Sequence, residues 1–158
     1  MFGLFRSPPF HDAELGEFVR SRGYWRGTVS LASQSVPIAL AGSRGNPDSG
    51  ALALGRQAQT LYASMRPLIE AALFEHYEPY AEALEAGELP ATSESFQKIT
   101  EPSQVWPNVS LVFVSISPID GVLTTEFGFT TAWDEEHTLG ARFQNGALLE
   151  LCGSVLPP

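Results

Sequence analysis

Apolar residues follow two rhythms along this chain. Near its start, Glu14 to Val19 and Tyr24 to Ala32 carry the aromatic and β-branched residues of short strands, with Ser21-Arg22-Gly23 as turn chemistry between them. Val36, Ile38 and Leu40 then alternate with small residues and Pro37, which places this third strand at an edge or makes Pro37 part of its beginning. The rhythm changes after Asn46-Pro47-Asp48, where Asn46 is read as a cap, Pro47 as the first helical residue and Asp48 as complementing the dipole. Leu54, Ala58, Leu61, Met65, Leu68 and Ala72 recur at spacings of four and three, which predicts a long helix with one apolar stripe and Arg56, Gln59 and Arg66 on its exposed face. Pro67 predicts a kink, and Gly87 the end of a last helical turn from Pro79 to Ala86.

Residues 88–103 mix Pro, Ser, Thr and Glu and read as a loop, and residues 1–9, punctuated by Pro8-Pro9, as flexible. The last third returns to strands: Val105 to Ser117, Val122 to Trp133, Leu139 to Phe143 and Ala147 to Val155. Both alternating sets of Val109 to Ser117 contain apolar residues, so that strand is expected to be central and covered on both faces. Asp120-Gly121 and Asn145-Gly146 mark the turns. At the second, a three-residue loop from Gln144 to Gly146 pairs Ala141 with Leu149 and Leu139 with Leu151, giving one apolar face with Arg142 near Glu150. The whole reads as a single α+β domain over residues 1–158: an antiparallel sheet of about six or seven strands with a long kinked helix packed on one face.

Charge narrows the function. The 158 residues hold 9 Lys plus Arg against 18 Asp plus Glu, a formal charge of −9, and no basic cluster is legible in the sequence, so nucleic acid is a poor ligand. The lone Cys152 needs no oxidising compartment, and no apolar run approaches membrane-spanning length, so a soluble cytoplasmic protein is expected. There is no phosphate loop ending in Lys-Ser/Thr, paired-cysteine zinc motif or serine nucleophile elbow.

The densest polar cluster is Trp133, Asp134, Glu135, Glu136 and His137, where one strand hands over to the next. Its carboxylates and imidazole are chemically suited to a divalent metal or an acid/base pair. They are equally those of a polar turn, since consecutive side chains point apart and no metal-ligand spacing accompanies them. Cys152 is expected on the face opposite His137 and is read as a buried structural thiol, His76 as a partner of helix-terminal carbonyls and His11 as exposed. Tyr24, Trp25 and Arg26 offer a recognition spot, but an aromatic in a strand more simply packs in the core.

The run Trp133-Asp-Glu-Glu-His-Thr-Leu-Gly-Ala-Arg-Phe-Gln-Asn-Gly146, followed by Glu150-Leu-Cys-Gly153, resembles small bacterial domains of unknown function with a Trp-Asp-x-Glu-His turn before a terminal hairpin. Arg22-Gly-Tyr-Trp-Arg-Gly27 and the capped helix are similar too. The resemblance implies an uncharacterised α+β domain, related in some cases to immunity proteins that neutralise toxins, and it transfers no catalytic residues.

An acidic chain without catalytic motifs is better suited to binding a basic protein surface than to making or breaking bonds. The expectation is a non-enzymatic interaction domain, of immunity or regulatory type, that binds through Trp133 to His137 and takes no cofactor and no metal; self-pairing into a homodimer is a further expectation. The alternative is a small metal-dependent hydrolase using the same acidic turn with His137.

Overall fold

Four tight turns order the strands: Arg22-Gly23, Ala32-Ser33, Asp120-Gly121 and Asn145-Gly146 each place two successive residues at positive φ. That backbone twist matches the twist of the strands on either side. The computed structural model describes residues 6–88 and 98–158. Its strands are β1 (Phe10–Asp12), β2 (Gly16–Ser21), β3 (Tyr24–Leu31), β4 (Gln34–Leu40), β5 (Val109–Ile119), β6 (Val122–Thr131), β7 (Thr138–Gln144) and β8 (Ala147–Val155), with the helix α1 (Ser49–Glu85) between β4 and β5.

All eight strands join one sheet in chain order, β1 to β8. The expectation of a purely antiparallel sheet of about six or seven strands is corrected in two ways. Strand β1 has only three residues, too few to show an alternation, and β4 runs parallel to β5, with Ile38 beside Val114 and Leu40 beside Ile116. The parallel pair follows from α1, which carries the chain back over the sheet before β5 begins. No described helix is long and apolar enough to cross a membrane.

Asp48 caps α1, its Oδ1 accepting from the Ala51 amide at 2.9 Å; Asn46 instead closes a turn with Ser43. The helix runs continuously through Pro67 and Pro79. Both prolines are exposed, so the carbonyls they leave without an amide donor lie on the solvent side. Gly87, at φ +73°, ends the helix as expected: its amide donates to Leu84 and that of Glu88 to Ala83, the Schellman arrangement.

The buried face of α1 comprises Ala51, Leu52, Gly55, Ala58, Tyr62, Ile69, Leu73 and Tyr77, rotated from the expected stripe, of which only Ala58 is fully buried while Leu68 is exposed. Gly55 explains the rotation. A Cβ there would stand 3.1 Å from Leu15 and 3.7 Å from both Ile38 and Leu40, so the helix sits close to the sheet at its smallest residue. Farther along, Tyr62 packs on Phe127 at 5.1 Å between ring centroids, and Phe127 meets Phe143 edge-on at 5.7 Å. Phe113, Val114, Ser115 and Ile116 are consecutive buried residues, as a central strand covered on both faces requires. Phe113 lies so close over Gly128 on β6 that a side chain at 128 would overlap its ring.

The β7–β8 hairpin departs from the register expected from the sequence. Its loop has two residues, not three, since Gln144 pairs with Ala147 and Phe143 with Leu148. A bulge then leaves Leu149 outside the ladder and sets Arg142 opposite Glu150 and Ala141, expected beside Leu149, opposite Leu151. Arg142 Nη1 donates to Glu150 Oε1 at 3.0 Å, the ion pair expected from the sequence, and Nε donates to the buried Glu126 at 2.5 Å.

The Ala32-Ser33 turn has neither glycine nor asparagine, although its φ angles are +48° and +64°. Replacing the pair by Asn-Gly should raise stability by about 1 kcal/mol, the relief of left-handed strain less the added flexibility of glycine. The midpoint of urea unfolding measures it.

The β1–β2 turn is pinned by Asp12, whose Oδ1 accepts from the amides of Glu14 and Leu15, both at 3.0 Å. Arg56, expected on a free helix face, reaches down and binds the same carboxylate through Nε and Nη2. The Arg56 guanidinium above all, against the opposing effect of burial, lowers the Asp12 pKa from 3.8 to about 2. A carboxyl depressed by folding stabilises above its unfolded pKa. The contribution is therefore present above pH 3.8 and disappears as pH falls toward 2, so acid unfolding of Asp12→Asn should have a shallower dependence across that window than that of the parent chain.

The readings of residues 1–9 as flexible and 88–103 as a loop fall in part on 1–5 and 89–97, outside the described residues. Of the rest, Ser7 Oγ donates to the Arg44 carbonyl at 2.5 Å, and buried Ile99 donates its amide to the Tyr77 hydroxyl at 3.0 Å, so both segments are tied to the body.

Candidate functional site

The turn from β6 to β7 begins where Thr131, at the end of its strand, is buried and accepts the Asp134 amide on Oγ1 at 3.2 Å. This bond bends the chain back and directs Asp134 inward. The residues of the turn then part company. Trp133 and Asp134 are buried, His137 is half-exposed, and Glu135 and Glu136 are exposed.

Asp134 is the anchor. Its Oδ2 accepts from the Tyr80 hydroxyl at 2.7 Å, and its two oxygens lie 3.0 and 3.1 Å from His137 Nδ1. Burial raises the Asp134 pKa, but the hydrogen bonds from Tyr80 and His137 outweigh it and leave the carboxyl below its ordinary range. An ionised carboxylate only accepts, so Nδ1 of His137 carries the proton and Nε2 is left for other contacts. Burial first, then the bond to Asp134, pushes the Tyr80 phenol up to about 12, which keeps it a donor.

Trp133 is held by the same stretch of helix. Its Nε1 donates to His76 Nδ1 at 3.0 Å, and its ring meets Tyr77 edge-on at 5.4 Å. Burial lowers the His76 pKa, while the Asp134 charge pulls it up and His137 opposes that pull. The neutral form so favoured leaves Nδ1 free to accept the indole proton. The expected role of His76 at helix-terminal carbonyls is thereby corrected: it is a partner of the turn.

Tyr80 is the residue that the sequence reading missed, and His76 the one whose partner it misassigned. Their spacing of four places them on one helix face, and their rings lie 5.4 Å apart. That spacing was the available signal; nothing local showed that the face would meet the turn.

Cys152 stands apart. It pairs with Gly140, its thiol donates to the Ser154 carbonyl at 3.5 Å, and it is half-buried, which corrects its reading as a buried core residue. Thr138 pairs with Val155, three residues beyond Cys152. His11 is exposed, as expected, 3.4 Å from Glu17. Trp25 is fully buried, Arg26 stacks over Tyr24 at 5.5 Å, and the three form no single exposed spot. Among the described residues no three His, Cys, Asp or Glu side chains are grouped to hold a metal ion.

The arrangement thus divides its acids into two uses. Asp134 is bonded to Tyr80 and His137, whereas Glu135 and Glu136 face solvent on a turn whose root is fixed to the helix. Such a turn presents charge at low ordering cost. Comparison with family models matches residues 14–154 to a domain of unknown function, DUF6985. The chain belongs to the DUF6985 family. No curated protein and no solved structure matches. The match runs from the β1–β2 turn to the last residues of β8 and so takes in the anchored turn of this DUF6985 domain together with His76 and Tyr80.

Proposed function

We propose that this DUF6985 domain is a non-enzymatic interaction protein that captures a basic partner surface through the turn from Trp133 to His137. The observation that carries the reading is the outward placement of Glu135 and Glu136 on a turn rooted by Asp134 and Trp133. Two signs of charge meeting across a contact raise the association rate and set its register. An occluding role of the immunity type, in which a bacterial domain covers cationic groups around a toxin's active site, is one concrete form of this proposal, as is a regulatory role.

The test is affinity purification of the tagged chain from its native cells beside the Glu135→Lys/Glu136→Lys variant, with the metal content of both samples measured. The proposal expects a stoichiometric basic partner with the parent chain and at least about tenfold weaker capture by the variant at unchanged stability. Equal capture by both would remove the interface from this turn. A bound metal without a partner would favour hydrolysis by the acidic turn and His137.

A further inference from the structure

The cations of this acidic chain are sorted into two groups. Arg56 is bound to Asp12, Arg66 lies 4.2 Å over the Trp106 ring, Lys98 meets Glu85 at 2.8 Å, and Arg142 meets Glu126 and Glu150. The others, Arg6, Arg20, Arg22, Arg26 and Arg44, make no ion pair among the described residues. Their recorded side-chain hydrogen bonds go to backbone carbonyls: Arg20 Nε to Ser43 at 3.2 Å, Arg26 Nε to Ser21 at 2.9 Å and Arg26 Nη1 to Pro158 at 2.7 Å. The Ser43 carbonyl orients the Arg20 guanidinium without neutralising it.

Four of them, Arg6, Arg20, Arg22 and Arg44, share one end of the fold. Arg20 and the Trp25 indole donate to the same Ser43 carbonyl, next to Arg44; Ser7 bonds to the Arg44 carbonyl and brings Arg6 alongside; Arg22 is at the tip of the β2–β3 hairpin. This end adjoins the N-terminus of α1. The acidic surface with Glu135 and Glu136 adjoins the helix near residues 76–80, about 40 Å away at 1.5 Å rise per residue.

We infer that the arginine end is a second docking surface, and that its occupant is the acidic end of another copy of this chain. The inference rests on the reading of the acidic turn as a binding surface and names a partner for it. Charge complementarity selects the occupant: a carboxylate-rich surface matches forked guanidinium donors, and one is present on every copy. Because the two ends differ, the contact is head-to-tail, and repeating it gives a ring or an open chain. Both surfaces are exposed, so the contact is screened by salt.

Sedimentation velocity on the full chain tests this at about 20 mM and about 500 mM salt, conditions on either side of strong screening. The expected result is a mass that rises with concentration at low salt and returns to that of one chain at high salt. Arg22→Gln/Arg44→Gln alone and Glu135→Gln/Glu136→Gln alone should each stay monomeric. Mixed in equal amounts, they should form a species of two chains and no larger, since one retains only the acidic end and the other only the arginine end. A monomeric parent chain at low salt, or assembly that survives high salt or either variant, would overturn the inference. So would nucleic acid that copurifies with the parent chain and is lost from the arginine variant. If the arginine variant still captures a basic partner from cells while the parent chain does not self-associate, this inference fails and the proposed function stands.

Discussion

Trp25→Ala should lower the stability of the fold by about 3–5 kcal/mol, the range for removing a fully buried large aromatic. Trp25 has no exposed surface, faces Leu40 across the β3–β4 ladder, meets Phe10 edge-on at 6.4 Å, and donates its indole proton to the Ser43 carbonyl at 2.9 Å. It therefore joins the core to the loop that leads into the helix cap. Trp25→Phe weights the two contributions differently, because it retains most of the ring volume and loses the indole donor. That carbonyl still accepts from Arg20, so a loss of about 1–2 kcal/mol is expected for the Phe variant. Denaturant unfolding of both measures the difference; equal losses would mean that the hydrogen bond and not the packing dominates.

The second large effect is expected at Asp134. Asp134→Ala should cost about 2–4 kcal/mol, because the Tyr80 hydroxyl and the His137 imidazole lose their common acceptor in a buried place. Asp134→Asn keeps an acceptor for Tyr80 and should lose less, while His137→Ala, which removes a half-exposed side chain, should stay within about 1 kcal/mol. Partner capture follows a different order. Asp134→Ala should weaken it by loosening the turn, although Asp134 itself is buried, and Glu135→Lys/Glu136→Lys should weaken it with stability unchanged. A stability loss at Asp134 without any loss of capture would show that the root of the turn and its exposed acids act independently.

The strands were legible where turn chemistry announced them. Arg22-Gly23, Asp120-Gly121 and Asn145-Gly146 carry glycine at a position that needs positive φ, and each bounds the strands that the sequence indicated. Ala32-Ser33 adopts the same backbone without that signature, so the division there between β3 and β4 was blurred. The helix was legible in extent but not in orientation. Spacing alone favoured Leu54, Leu61 and Leu68, yet the small side of the helix at Gly55 and Ala58 is what permits close approach, and small residues add little to an apolar stripe. The β7–β8 register needed a bulge at Leu149, which no pattern of alternation reveals because its purpose is to break one.

The candidate turn was legible as a charged cluster but not as a divided one. Adjacent Asp134, Glu135 and Glu136 look equivalent in sequence, and the bonds to Thr131, Tyr80 and His137 single out the first and draw it inward. The contacts with Tyr80 and His137 join residues 54 and three positions apart, so local pattern reaches the second and not the first. The arginine end is likewise invisible to a search for basic runs, since it is gathered from β2, the β2–β3 turn, the residues before β1 and the loop before the helix.

The most direct measurement on the central claim is the salt dependence of affinity between the purified chain and its captured partner, with the parent and Glu135→Gln/Glu136→Gln titrated side by side. If the exposed acids of the anchored turn form the contact, the parent affinity falls steeply as salt rises and the variant shows a weaker affinity with a flatter dependence. An affinity indifferent to salt, or the same steep dependence in both proteins, would contradict it.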